Sequence, residues 1–487
     1  MNEDISENDY VEIYEEKTAA FTESLPRIVK EFQQTAVEVS HMNDVPAAIS
    51  FFVILGQVVK DFIRIPNGRN IEDSRIHFCQ IQTSGTGKST LYNFVGPVAK
   101  NVFDKINESK KHPHALRTGN EIVPRNFDIF SVTDYTDASL IGHYAEVMEG
   151  EGSERSFETK RIKGLLEGSG LAHWDEFEYS GVFKQSQHKE NSIVYLNTFM
   201  NTLAGENWII SKKLKEGDIM ECFCERSVLA MTYPPKHLDS IMTEKGVLQR
   251  MLCYIWDVPE FIQDKMRRMQ IAKAGTIEEI KQPIEKYAKL IFKIYQTVQE
   301  KFEENGKDSL ATMSYSDDYR DVLLLEYESM QQYILSSSPE IREVASNFTT
   351  RLLKILMKMA VLCSVASSPS IRDKSKRFIV TGANVRQAAV ITRQCYMTLV
   401  EWLERSLRMR RRVTSANNKL PIFIKCYNEI SKDEEGFVSK NQYFKVIEKQ
   451  AKLSQAQIYN YWKKYENNFI TEKHGRAVYI KLKEGNK

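Results

Sequence analysis

Residues 76–91 read Ile-His-Phe-Cys-Gln-Ile-Gln-Thr-Ser-Gly-Thr-Gly-Lys-Ser-Thr-Leu. An apolar run stops at a loop of small residues that closes on Gly87-Lys88-Ser89, and a helical pattern follows at once. A strand that feeds such a loop and then a helix turns several backbone N–H groups and a helix N-terminus on one anion, and small side chains let the backbone approach it. The reading is a phosphate-binding loop made of Ser84, Gly85, Thr86, Gly87, Lys88, Ser89 and Thr90. Lys88 would reach the β- and γ-phosphates of ATP, and the Ser89 hydroxyl would help to hold Mg²⁺. The usual pattern has glycine five positions before Gly87, where this chain has Gln82, while Ser84, Gly85 and Gly87 keep the tight part of the loop. The rival reading is a glycine-rich turn before an ordinary helix.

Such a loop needs acids on a later strand. Gly170-Leu-Ala-His-Trp-Asp-Glu is a short apolar strand ending in two carboxylates. Mg²⁺ takes oxygen ligands and keeps several waters, which suits Asp175, and Glu176 would orient and activate the attacking water as general base. His173 is unusual in such a strand, and a partner for its ring N–H within the sheet, not a metal, is expected. Before it, Thr136 or Asp137 can cap a helix. The next core strand, residues 227–232, ends in Thr232, placed to sense the γ-phosphate. Arg250 stands immediately before a fifth strand, where it would leave its own subunit and meet a neighbour's γ-phosphate.

Between these elements residues 208–223 read as a basic hairpin about Gly217-Asp218 carrying Lys212, Lys213 and Lys215. It is either a loop that touches nucleic-acid phosphates in a central channel or a solvated edge. The alternation of strand and helix from residue 73 to about 260 predicts a mainly parallel α/β sheet covered on both faces.

The spacing of Gln-Thr-Ser-Gly-Thr-Gly-Lys-Ser, Thr-Asp-Ala-Ser-Leu, His-Trp-Asp-Glu-Phe, Leu-Ala-Met-Thr-Tyr-Pro-Pro and Gly-Val-Leu-Gln-Arg-Met resembles the P-loop ATPases of virus and plasmid primase-helicases, over roughly residues 43–400. The resemblance implies a P-loop ATPase with an additional strand, AAA+ or RecA-like, and Pro234-Pro235 with Arg250 favours AAA+. The stretch 348–362 is similar to the sensor 2 helix of minichromosome-maintenance helicases, which implies Arg351 as the sensor 2 arginine. Lys354 is the second choice, and an ordinary surface arginine is the alternative.

At 487 residues the chain suits two to four domains. The expected parts are an N-terminal helical region (1–72), the ATPase core (73–261), a helical lid (262–413) and a winged helix (414–487). A formal net charge of +2 excludes a globally basic nucleic-acid binder and leaves local patches to do that work. No apolar run reaches membrane-spanning length; the nearest, 47–59, is interrupted by Gln57. The acidic N-terminus is unlike a signal peptide. Seven scattered cysteines read as buried free thiols in a reducing compartment, so a cytoplasmic location is expected, and Cys222-x-Cys224 has no second ligand pair for zinc.

Residues 45–65 are apolar nearly all round and predict a buried helix. Past the lid, an arginine-rich run at 408–412 reads as a linker. Residues 419–430, 439–449 and 454–465 then read as helices, with strands at 469–471 and 477–482. In a winged helix the third helix enters the major groove of DNA. Lys463, Lys464 and Arg476 are the candidate contacts, with Ile458, Tyr461 and Trp462 in the core.

The combined expectation is a homo-oligomeric ring, a hexamer, that hydrolyses ATP with Mg²⁺ between subunits and unwinds DNA in replication of a virus or mobile element. It would hold single-stranded DNA in its channel and duplex through the winged helix, with a separate primase or polymerase and no membrane. The alternatives are an AAA+ initiator or loader, and a nucleotide-switched DNA-binding scaffold that does not unwind.

Overall fold

The computed structural model describes residues 7–40, 43–109, 116–118, 121–123, 126–132, 135–149, 156–177, 191–204, 207–210, 220–234, 246–272, 279–367, 376–417, 419–451, 453–475 and 477–483. The chain divides into two compact units, Met1–Glu404 and Arg405–Lys487.

Five parallel strands organise the first unit: β1 (Phe78–Gln82), β2 (Phe127–Val132), β3 (Gly168–Trp174), β4 (Met220–Thr232) and β5 (Leu252–Trp256). They lie in the order β5-β1-β4-β3-β2. Every residue of β1 and β5 is buried, as is all of β3 except Gly168, the burial proper to a parallel sheet covered on both faces. β4 therefore separates the strand that enters the glycine loop from the strand that ends in the two acids.

The helices of the first unit are α1 (Glu7–Ser24), α2 (Arg27–Ser40), α3 (Asp44–Val59), α4 (Lys88–Glu108), α5 (Asp137–Ile141) and α6 (Ser192–Asn201), followed by the longer helices of residues 260–404. Residues 45–59 of α3 are all buried, as the all-round apolar pattern requires. Its interior amide is matched, because Gln57 donates from Nε2 to the Glu225 carbonyl and accepts from the Ser227 hydroxyl at 2.9 Å, both on β4. Phe32 of α2, Phe51 of α3, Phe94 of α4 and Tyr287 of the helix Lys281–Glu304 form one aromatic cluster with edge-on and tilted rings.

Three sequence readings need correction. The helix expected to run to residue 65 stops at Val59, and residues Arg64–Asn67 pair with Asn70–Asp73 in a hairpin that turns at Gly68. Pro66 accounts for the extended conformation at Ile65, since the residue before proline is driven out of helical geometry. The second arm of the expected hairpin and the fourth core strand are a single strand, β4, whose start pairs antiparallel with Asn207–Ile210. The turn with Lys212, Lys213 and Lys215 lies outside the described residues. Finally, two antiparallel ribbons interrupt the expected alternation of strand and helix: Gly142–Glu149 with Ser156–Lys163, between α5 and β3, and Leu116–Thr118 with Glu121–Val123.

In the second unit the helices Leu420–Asn428, Lys440–Ala451 and Gln455–Tyr465 pack on an antiparallel sheet in which Ala477–Leu482 lies between Val438–Ser439 and Phe469–His474. Phe423, Tyr443, Ile447, Ile458, Trp462, Phe469 and Ile480 fill its core, and Tyr461 packs against it partly buried. Ser454 and Gln457 close a capping box at the start of the third helix. Among the described residues no helix is long and apolar enough to cross a membrane, and Cys79, Cys253, Cys363, Cys395 and Cys426 are buried.

Candidate functional site

The loop after β1 begins at the C-terminal edge of the sheet, where open α/β sheets bind ligands. Gly85 and Gly87 have φ of 72° and 80°, left-handed values that glycine adopts without cost. Gly87 is also seated against the turn between α2 and α3, where a Cβ would stand 2.4 Å from the Ser40 carbonyl oxygen. The Thr86 hydroxyl donates to the Thr83 carbonyl at 2.6 Å, and Lys88 Nζ donates to the same carbonyl at 3.1 Å and to that of Gln82. The ammonium also lies 4.6 Å from the centre of the Tyr233 ring.

Register brings the acids and Thr232 to this loop. Thr232 is opposite Ile81 across the β4–β1 pair, and Ala230 is opposite Trp174 across the β4–β3 pair, so Asp175 emerges at the level of the loop. A cavity of about 330 Å³ results, lined by the seven loop residues 84–90 with Asp175, Glu176, Met231, Thr232, Tyr233 and Gln270. The Asp175 N–H donates to the Val132 carbonyl at 3.1 Å, which anchors the end of β3 to β2. Glu176 follows with φ 57°, a left-handed conformation that costs a residue with a Cβ about 1 kcal/mol or more. Strain of this kind gathers at functional positions, and here it orients a carboxylate on the cavity wall.

Behind the acids, His173 stacks on Tyr92 with ring centres 3.4 Å apart, and its Nδ1 lies 3.3 Å from the Ser131 hydroxyl. Burial pulls the imidazole down to about 4, so it is neutral at pH 7 and serves as packing, with the sheet partner that the sequence reading anticipated. Thr136 caps α5 through a capping box, whereas Asp137 accepts from Asn191 N–H and the Ser192 hydroxyl at the start of α6.

Arg250 and Arg351 do not line the cavity; both reach asparagines of α6. Arg250 Nη1 donates to Asn197 Oδ1 at 3.0 Å and to the Gly246 carbonyl, and Arg351 Nη1 lies 3.3 Å from Asn201 Oδ1, one helical turn along. Burial and the Arg351 charge pull Arg250 down to about 10. Neither arginine forms an ion pair among the described residues, and Arg250 Nε is buried without an acceptor there. Two guanidinium groups held by neutral amides can receive an anion. Lys354, the second choice for the lid cation, is instead paired with Glu72.

On the second unit Lys463 and Lys464 are exposed at the end of the third helix, and Arg476 lies outside the described residues. Tyr233, Gln270 and Asn43 went unnoticed in the sequence; for Tyr233 its place directly after Thr232 was an available signal. A larger cavity of about 440 Å³, between α2 and the helix Lys281–Glu304, is lined mainly by apolar side chains such as Leu25, Ile28, Leu290 and Ile294. It has no convergence of phosphate-binding groups, so the chemistry favours the smaller one. No protein-family model matches the chain, and no curated protein sequence does.

Proposed function

We propose that the chain is an ATP-dependent DNA helicase of AAA+-like build that works as a six-membered ring in the replication of a virus or mobile element. The observation that carries this reading is the strand order β5-β1-β4-β3-β2, which gathers the glycine loop, Thr232, Asp175 and Glu176 around one cavity. The fit to a nucleotide triphosphate is chemical as well: positive-φ glycines open the backbone, and Lys88 lines the same cavity as the glycine loop and the two acids. Ser89 and Asp175, both on the cavity wall, would supply oxygen donors for Mg²⁺, an ion that keeps several waters and shares the phosphates. When bound, Mg²⁺ would neutralise charge on the phosphates.

The protein's own groups then divide the work. Loop N–H groups and Lys88 hold the phosphates, Glu176 accepts the proton of the attacking water, and Thr232 senses the γ-phosphate. Arg250, with Arg351 beside it, faces the nucleotide of a neighbouring subunit, where a fixed guanidinium stabilises the transferring group. In the second unit, three helices followed by a two-stranded hairpin have the element order of a winged helix, and Lys463 and Lys464 on its third helix would touch duplex DNA.

Forked DNA tests the reading. Wild type separates the strands with ATP, Glu176→Gln binds DNA in the presence of ATP without separating it, and Lys88→Ala does neither. Robust unwinding by Lys88→Ala would remove this cavity as the motor site. Mixing Arg250→Ala with Glu176→Gln protein should restore part of the ATPase, since each supplies the half that the other lacks; no recovery at any ratio argues against a shared site.

A further inference from the structure

Gln82 occupies the position where phosphate loops usually carry glycine, and its side chain ends a chain of buried amides. Asn43, in the turn before α3, donates from Nδ2 to the Thr86 carbonyl at 2.9 Å and to the Ser40 carbonyl at 3.0 Å. Carbonyl oxygens only accept, so these contacts decide which end of the Asn43 amide carries nitrogen. Its Oδ1 then accepts from Gln80 Nε2 at 3.2 Å, and the same Nε2 donates to Gln82 Oε1 at 2.6 Å. Two backbone carbonyls thus dictate the orientation of three amides in turn. Asn43 and Gln82 are 0% exposed and Gln80 is 2% exposed, so solvent cannot substitute for any of them. The terminal donor, Gln82 Nε2, has no acceptor among the described residues.

Peptide planarity turns this chain into a lever. The Thr86 carbonyl and the Gly87 N–H belong to one trans peptide unit and point in opposite directions. With the carbonyl drawn back onto Asn43, the N–H faces away from Asn43, the side on which Gly87 and Lys88 line the cavity. We propose that Asn43, backed by Gln80 and Gln82, is a positioning device that fixes the Gly87 N–H for the phosphates of a bound nucleotide, with Gln82 completing it. The inference rests on the nucleotide reading above.

Calorimetric titration of MgADP into the full-length protein tests both. Asn43→Ala should bind about tenfold more weakly, the scale of one lost buried hydrogen bond. Gln82→Met, which keeps the volume and deletes the amide, should bind about threefold more weakly, and the double variant no more weakly than Asn43→Ala, because one chain is cut twice. In steady state KM for ATP should rise while kcat at saturation stays within about threefold, a split that a general loss of structure does not produce. Wild-type affinity in both folded variants, with Lys88→Ala defective, overturns the positioning device and leaves the nucleotide site standing. Absence of binding to wild type, or wild-type affinity in Lys88→Ala, overturns the nucleotide reading and the inference with it. If thermal melting shows that Asn43→Ala does not fold, Gln82→Met decides alone, and wild-type affinity in it overturns the inference.

Discussion

The two ends of the central sheet treat charge in opposite ways. At the N-terminal ends of the strands Asp73 and Lys60 are buried and paired. Asp73 accepts from Arg75 Nη2 and Nε at 2.8 and 2.9 Å and from the Ala204 N–H at 2.8 Å, with Lys358 3.7 Å away. Lys60, 0% exposed, lies 2.7 Å from Asp61 and 3.6 Å from Glu225. At the C-terminal ends Asp175 and Glu176 make no ion pair among the described residues and line the cavity beside the glycine loop. Desolvated charges at the first end are tolerable only because their partners are fixed. Those at the second end are kept available for something that arrives, and the backbone strain at Glu176 marks the same end.

Variants should separate these ends. Glu176→Gln should lower turnover by about 10²–10⁴-fold, the usual worth of a general base, and leave the urea midpoint unchanged; a large loss of stability would make this carboxylate structural. Asp73→Asn should do the reverse, costing about 3–5 kcal/mol because it removes the carboxylate that pairs with the buried Arg75 guanidinium.

The pH dependence has a definite sign. Burial by itself raises the Asp73 carboxyl, but Arg75 and Lys358 overcome that and hold it well below the usual range. Its folded pKa is therefore lower than the unfolded value of about 3.9, so its stabilisation is complete above that pH and is lost as pH falls below it. The gap in urea midpoint between wild type and Asp73→Asn should thus be full at about pH 7 and shrink below about pH 4. A gap independent of pH would mean that the substitution acts through packing and not through charge. The smallest effect is the most pointed: Glu176→Gly should stabilise the fold by about 0.5–1 kcal/mol, by releasing the left-handed strain, while abolishing turnover. Destabilisation there would show that the backbone is not under strain.

Much of the candidate site was legible because its signals are local. A strand that stops at Ser84-Gly85-Thr86-Gly87 and restarts as a helix reads the same in one dimension as in three, and so does an apolar strand that ends in Asp175-Glu176. The ribbon 142–163 was not legible, because a strand in a two-stranded ribbon needs only its partner and carries little of the apolar signature of core strands. The gathering of Arg250 and Arg351 on α6 was also hidden, since the two are about a hundred positions apart and each alone resembles a surface cation.

Gln82 shows where the boundary falls. The sequence by itself determined that Gln80 and Gln82 share one face of β1, because strand side chains alternate with period two, and that a lysine and a serine follow the loop. It also determined the order of loop, acids and threonine along the chain. Only the tertiary structure decided that β4 lies between β1 and β3, and that Asn43 stands beneath Thr86 to receive the amide chain. Strand order and buried hydrogen bonds join residues distant in the chain, and their energies depend on what each group is desolvated against, which no local stretch of sequence contains.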